Sequence, residues 1–377
     1  MDALFSAEDA ATAPCLLEGP LRDAAPELLA AVRGLGTSRL AVNFRALSVP
    51  YLFNAMEEIF DSGVEPGAAL DARVRGLAQW YKSVNSGFWR KLESGIVDPA
   101  DPRRISTSQP DVEQVTGEHF GRLFADFVAE TFWRHPLNQF RARIERNGIN
   151  VSLLEGKDVL DAGCGAGRLA FVFKELGAQC VVGIDISESA LDLARRRQKE
   201  IGVTGLEFQQ GSVLQLPFAD NSFDIVFSSG VYHHTTDWRG GVKEFIRVLK
   251  PDGLGLLYYL NEKPGGLFWD IVELLRVMVK GDPLDWMRQA LSVHGLPGPR
   301  IIYLLDPLMV PINVRLTTGD IEDFLREIGA IDVRRFTRGA DRDRLERIYQ
   351  NESFAREKFG IGENRYAFGK PRAAGWK

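Results

Sequence analysis

Residues 159–168 read Val-Leu-Asp-Ala-Gly-Cys-Gly-Ala-Gly-Arg, an apolar strand running straight into a Gly-x-Gly-x-Gly turn. Such a turn lets backbone come close to a ligand, because glycine tolerates positive φ and has no Cβ in the way. Eighteen positions past Gly167 stands Asp185, in the run Val-Val-Gly-Ile-Asp-Ile-Ser at 181–187. An acidic residue ending the next strand accepts hydrogen bonds from both hydroxyls of a ribose, so turn and carboxylate together point to a nucleoside. NAD and FAD sites use the spacing Gly-x-Gly-x-x-Gly, which this chain lacks. Asp161, two residues before the first glycine, would repel a pyrophosphate and suits a cationic ligand.

From 158 to 260 short apolar runs alternate with helical spacing, the pattern of βαβ units on a parallel sheet. Strands are expected near 158–162, 180–186, 206–210, 223–229 and 253–260, with helices at 167–176, 188–201 and 238–250. Ser187 or Ser189 caps the second of these helices. A helix over 318–329, opened by an imperfect capping box at Thr318, precedes strands near 331–337 and 364–369.

The run Val159–Gly167 resembles motif I of the class I S-adenosylmethionine-dependent methyltransferases, with motifs of the ubiquinone and menaquinone biosynthesis type. Gly211–Phe218, Phe223–His234 and Arg247–Leu254 resemble that family's later elements in the same order. The resemblance is close over 150–260 and looser over 318–370. It implies an α/β, Rossmann-like, seven-stranded doubly wound sheet with an antiparallel edge, and S-adenosyl-L-methionine as cofactor. The residues it assigns to that cofactor are Asp161, Gly163, Cys164, Gly165, Gly167, Asp185, Ile186, Ser212, Val213 and Ser229. The family usually carries an acidic residue where Ser212 stands, and a serine accepts the adenine amino group less strongly.

Methyl transfer asks the protein to align its reactants, exclude water and handle a proton. Just past the fourth strand, His233 and His234 are the candidate bases, with His234 preferred because adjacent side chains diverge; the alternative is that the pair builds the loop. His119, Tyr232, Tyr259 and Asn261 are the candidate acceptor contacts, and one of the neighbouring Tyr258 and Tyr259 is expected to turn into the core. Arg168 reaches either the cofactor carboxylate or an exposed acid, and Asp224, at the far end of its strand, is structural. The family also admits enzymes that move a group other than methyl. A small-molecule methyltransferase acting on oxygen, nitrogen or carbon is the leading reading; a protein or peptide methyltransferase and a nucleoside-binding module without turnover stand beside it.

The net charge of -5 lacks the basic footprint needed to grip duplex nucleic acid. Arg334, Arg335, Arg338, Arg342, Arg344 and Arg347 interleave with Asp341, Asp343 and Glu346, which reads as a solvated, salt-bridged surface. Cys15, Cys164 and Cys180 have no metal-ligand spacing, no signal peptide or membrane span is visible, and a cytoplasmic protein without metal is expected. Residues 1–110 are read as a helical extension that shapes the substrate site or a homo-oligomer, ending in a Pro- and Ser-bearing linker at 98–110. Residues 111–377 then form the cofactor domain, interrupted after the fifth strand by an insertion, 261–316. The insertion's first helix places Asp270, Glu273, Arg276 and Lys280 on one narrow arc; it is a lid over the strand ends, extra core or a dimer face. An aromatic stripe over Glu118–Arg134 either fills core or also covers the cofactor.

Overall fold

A computed structural model describes residues 15, 17–35, 39–85 and 129–372. In chain order its helices and strands are α1 (Leu21–Arg33), α2 (Arg39–Ser62), α3 (Pro66–Asn85), α4 (Ala129–Glu145), β1 (Asp158–Ala162), α5 (Arg168–Glu175), β2 (Cys180–Asp185), α6 (Glu188–Ile201), β3 (Leu206–Gln210), β4 (Phe223–Ser229), α7 (Trp238–Val248) and β5 (Leu249–Leu260). There follow α8 (Gly266–Met278), α9 (Leu284–Val293), α10 (Gly298–Met309), α11 (Thr318–Glu327), β6 (Ile331–Arg335), α12 (Arg344–Tyr349), α13 (Ala355–Phe359) and β7 (Asn364–Gly369). The chain divides into two compact units.

One unit holds the sheet, whose seven strands run in the order β3-β2-β1-β4-β5-β7-β6. β1 to β5 pair in parallel, and β7 lies antiparallel between β5 and β6. β1 and β4 are buried on both faces, as central strands of a helix-covered parallel sheet must be. Leu160, Val226, Phe245 and Tyr366 belong to the core on one face; Val159, Phe173, Phe227 and Phe140 belong to the other. Parallel pairing brings the ends of β1, β2, β4 and β5 to one edge, where open α/β sheets bind ligands.

Local signals place the flanking helices. Of the two serines the sequence offers, Ser187 caps α6, its Oγ accepting from the Ala190 N–H at 3.3 Å. The capping box of α11 sits one residue earlier than expected: Thr317 is the cap, and Thr317 and Asp320 exchange side-chain to backbone hydrogen bonds at 3.0 and 2.9 Å. The basic run near 340 is also no simple solvated face. Asp343 and Glu346 are buried, taking bidentate bonds from Arg143 and Arg338 respectively.

The other unit gathers the helices of 15–85 with residues 264–309 and 353–360. Here α1 packs on α3, and α8 and α9 of the insertion pack against α1 and α2. Of the polar arc read on α8 only Lys280, past the helix end, is exposed. Asp270 is buried and accepts the Glu18 N–H at 2.8 Å, while Arg276 donates to the Pro307 carbonyl at 2.5 Å. Arg45 and Asp282, both buried, form a bidentate pair at 2.7 and 2.6 Å. Among the described residues no helix is long and apolar enough to cross a membrane.

Candidate functional site

Gly163, Gly165 and Gly167 all adopt positive φ, at 79°, 52° and 80°. They do so for different reasons. A Cβ on Gly163 would collide with the Val231 side chain, and one on Gly167 would lie 2.8 Å from Phe208 and 3.1 Å from Ala194. At Gly165 a Cβ would meet nothing within 4 Å, so the open part of the turn is here. The N–H groups of Gly163 and Cys164 donate to the Ile184 carbonyl at 2.8 and 3.0 Å, tying the turn to the end of β2. Gly183, not singled out from the sequence, makes room for the turn: a Cβ there would lie 2.8 Å from Cys164 Sγ. Cys164 is buried, and burial pushes its thiol well above the ordinary value, so it packs and does not react.

Asp185 Oδ2 accepts the Gly165 N–H at 2.7 Å and Oδ1 accepts the Ser187 N–H at 2.9 Å. Burial raises its carboxyl against the pull of these donors. A carboxylate oxygen accepts more than one bond, so the donors orient Asp185 without exhausting its capacity for a diol. Asp161 is 3% exposed and its Oδ2 has no hydrogen-bond partner among the described residues. Burial first, and then the charge of Asp185, pushes its carboxyl up to about 7. A buried and a half-buried carboxylate beside an open glycine fit S-adenosylmethionine well: the ribose would lie on Asp185, and a cationic group would meet the unmet demand of Asp161.

The remaining cofactor candidates surround this turn. The Gly211 N–H donates to the Asp185 carbonyl at 2.9 Å, joining the end of β3 to β2. Ser212 Oγ accepts the Leu214 N–H at 3.2 Å, Val213 buries its side chain in the core, and the Ile186 carbonyl accepts from Gln210 at 3.1 Å. Val213 therefore has only its main chain to offer a ligand. Ser229 is half-buried at the end of β4, next to Ser228, whose Oγ donates to the Ala162 carbonyl at 2.7 Å.

Past β4 the chain makes a short 3-10 turn, Tyr232–His234. Tyr232 is fully buried, packed edge-on to Phe245 and close above Gly241, where a Cβ would lie 2.6 Å from its ring. The expected acceptor contact is thus a core residue, because its apolar ring gains more beneath α7 than at the strand ends. His233 is buried too. Burial and then His234 lower it well below its ordinary value, so it is neutral, and its carbonyl accepts the Val314 N–H at 2.8 Å. Burial disfavours the protonated imidazole and so makes His233 a weak base, which weighs against it as the proton acceptor. His234 is half-buried, its ring centroid 3.8 Å from that of His233, with Nδ1 at 2.7 Å from the Ile312 carbonyl.

At the end of β5 the two tyrosines part as expected. Tyr258 enters the core, and Tyr259, on a bulge at φ 52°, lies with its ring 5.1 Å from the Arg143 guanidinium and 4.4 Å from that of Arg365. Asn261 donates from Nδ2 to Asn313 Oδ1. Arg168 Nε donates to the Phe132 carbonyl at 3.1 Å. Asp224 accepts the Asp158 N–H at 3.0 Å and pairs with Lys250 at 3.1 Å, a structural role. His119 and residues 118–128 of the aromatic stripe lie outside the described residues; Phe132 is in the core. Ile312, Asn313, Arg143 and Arg365 carried no motif that a reading of the sequence could find, since each matters through a partner remote in the chain.

A methyltransferase domain model matches residues 160–257. The chain is 42% identical over 108 residues to the uncharacterized methyltransferase YcgJ of Bacillus subtilis (28% of this chain, 42% of that protein). It is 38% identical over 147 residues to the demethylmenaquinone methyltransferase of Lactococcus lactis (37% of this chain, 56% of that protein). The chain thus spans about half the length of these two curated relatives. With the ubiquinone biosynthesis O-methyltransferase of Neisseria meningitidis serogroup C it shares 34% identity over 171 residues, 43% of this chain and 71% of that protein. Reaching across 71% of that relative, and seated on a strand-turn-strand built around Asp161, Gly165 and Asp185, that likeness places the chain in the class I S-adenosylmethionine-dependent methyltransferases.

Proposed function

We propose that the chain methylates a hydroxyl group of a small molecule, with His234 taking the proton. The observation that carries this reading is the 2.7 Å contact of His234 Nδ1 with the Ile312 carbonyl, at the end of the strand beside the glycine turn. A carbonyl only accepts, so Nδ1 carries the hydrogen and Nε2 is the basic nitrogen. When bound, S-adenosylmethionine supplies a methyl group on a sulfonium sulfur, whose S–C electron pair leaves with sulfur. Asp185 and Asp161 hold and orient it, Gly165 admits it, and His234 Nε2 receives the hydroxyl proton as the acceptor oxygen gains the methyl.

The names of two relatives, a demethylmenaquinone methyltransferase and a ubiquinone biosynthesis O-methyltransferase, support a small acceptor. A net charge of -5 and three free cysteines favour a small-molecule partner, not duplex nucleic acid, and a reducing cytoplasm.

Calorimetric titration with S-adenosylmethionine, S-adenosylhomocysteine and NAD tests the reading. The two sulfur nucleosides should bind and NAD should not. Asp185→Ala should weaken binding at least about tenfold by removing a charge-assisted acceptor. His234→Ala should leave binding intact and lower turnover of a phenolic or quinol acceptor about 100-fold. An unimpaired rate would remove His234 from the chemistry.

A further inference from the structure

The chain leaves β5 at Leu260, passes through the insertion and comes back at Val310 as an extended segment. Alternate residues of that segment bond to the two loops that end β4 and β5. The Ile312 carbonyl accepts His234 Nδ1 at 2.7 Å, the Val314 N–H donates to the His233 carbonyl at 2.8 Å, and the Leu316 N–H donates to the Asn261 carbonyl at 2.7 Å. Lys263 N–H returns a bond to the Leu316 carbonyl at 2.9 Å, and Asn364 Nδ2 donates to the same oxygen at 3.1 Å. Between the first two rungs stands Asn313, whose Oδ1 accepts Asn261 Nδ2. The period of two is that of a strand, and it spends main-chain groups on one side while Asn313 anchors the segment with its side chain.

We infer that this returning strap is the positioning device of the proton acceptor, with Asn313 as its anchor, and that it holds His234 in the tautomer protonated on Nδ1. A free histidine side chain prefers its hydrogen on Nε2, which would leave the wrong nitrogen basic. The Ile312 carbonyl reverses that preference, since it can be satisfied only by an Nδ1–H. His233 cannot compete for the role: its carbonyl is held by the strap and its buried ring stays neutral. The strap therefore does three things with one stretch of chain. It selects which of two adjacent histidines is the base, selects which nitrogen of that histidine is basic, and links the β4 loop to the β5 loop at Asn261. Asn313 touches no reacting atom in this account; it acts through the position of Ile312 and is a positioning residue.

The inference rests on the methyl-transfer reading for its purpose, and the tautomer readout of its test does not need an acceptor. In the full chain labelled with 15N-histidine, imidazole 15N–1H correlation spectra report the tautomer directly, with the His234 signals identified by their loss in His234→Gln. The wild-type protein should show His234 protonated at Nδ1 and unprotonated at Nε2. Asn313→Ala should move the population toward Nε2–H and lower kcat about fivefold to tenfold with KM within twofold, the scale of one lost hydrogen bond. Asn313→Asp, which keeps the acceptor oxygen for Asn261, should restore both. A wild-type His234 protonated at Nε2 overturns the inference whatever the activity, as does an Asn313→Ala protein with unchanged tautomer and kcat. Failure of S-adenosylmethionine to bind would fell the methyl-transfer reading alone, and the spectra of the wild-type protein would still decide the tautomer.

Discussion

Asp161 is where protonation and ligand binding meet. An aspartate in an unfolded chain loses its proton near 3.9, whereas burial and then Asp185 push this one up to about 7. Between those values the folded chain holds the extra proton, so Asp161 costs nothing below about pH 4 and its contribution lowers stability as pH rises toward about 7. A cationic ligand reverses the preference, because it favours the ionised form. S-adenosylmethionine affinity should therefore rise between pH 6 and 7, by up to about tenfold, with release of a proton on binding. Titration calorimetry in two buffers of different ionisation enthalpy measures both. Affinity that is flat with pH, with no proton released, would separate Asp161 from the ligand.

Among the elements, the segment between β6 and α12 is held by charge as well as by the burial of Phe336 and Ala340. Asp343 takes two bonds from Arg143 of α4 at 2.7 Å and faces Arg365 of β7 at 2.9 Å, while Tyr259 lies against both guanidiniums. Burial alone would raise the Asp343 carboxyl; the Arg143 hydrogen bonds, with the charges of Arg365 and Arg143, hold it at about 2. Its contribution is then complete above the ordinary aspartate range and is lost as pH falls through about 2. Asp343→Ala leaves two buried cations without their shared partner, and should cost about 3–5 kcal/mol in urea denaturation at neutral pH. A cost below about 1 kcal/mol would show that water reaches the cluster.

At the scale of the whole molecule, chain order and packing diverge. Residues 264–309 interrupt the sheet-bearing unit in sequence and fold with the N-terminal helices. Arg45 of α2 and Asp282, in the turn before α9, are the buried pair that marks this association, with side chains 1% and 2% exposed. Asp282→Ala should destabilise that unit by about 3–5 kcal/mol, since an unpaired guanidinium would remain inside. Hydrogen exchange followed by mass spectrometry should show faster exchange in α2 and α9 while β1 and β2 stay protected. Equal acceleration in the sheet would mean that the two units unfold as one.

The sequence by itself determined the parts whose physics is local or periodic. Strand-helix alternation, the glycine turn, the Ser187 cap and the position of Asp185 were legible because burial period, positive φ and capping act within a few residues. Tertiary structure decided what depends on partners far along the chain. Tyr232 and His233 turned inward because α7 and the strap cover them, and Asp343 became buried because Arg143, 200 residues away, came to meet it. The strap was illegible for the same reason: the partners of His234 and Asn261 lie 78 and 52 residues on, and a main-chain carbonyl leaves no mark in the sequence. A side chain's identity says what it can donate or accept, and only the fold supplies the group that answers it.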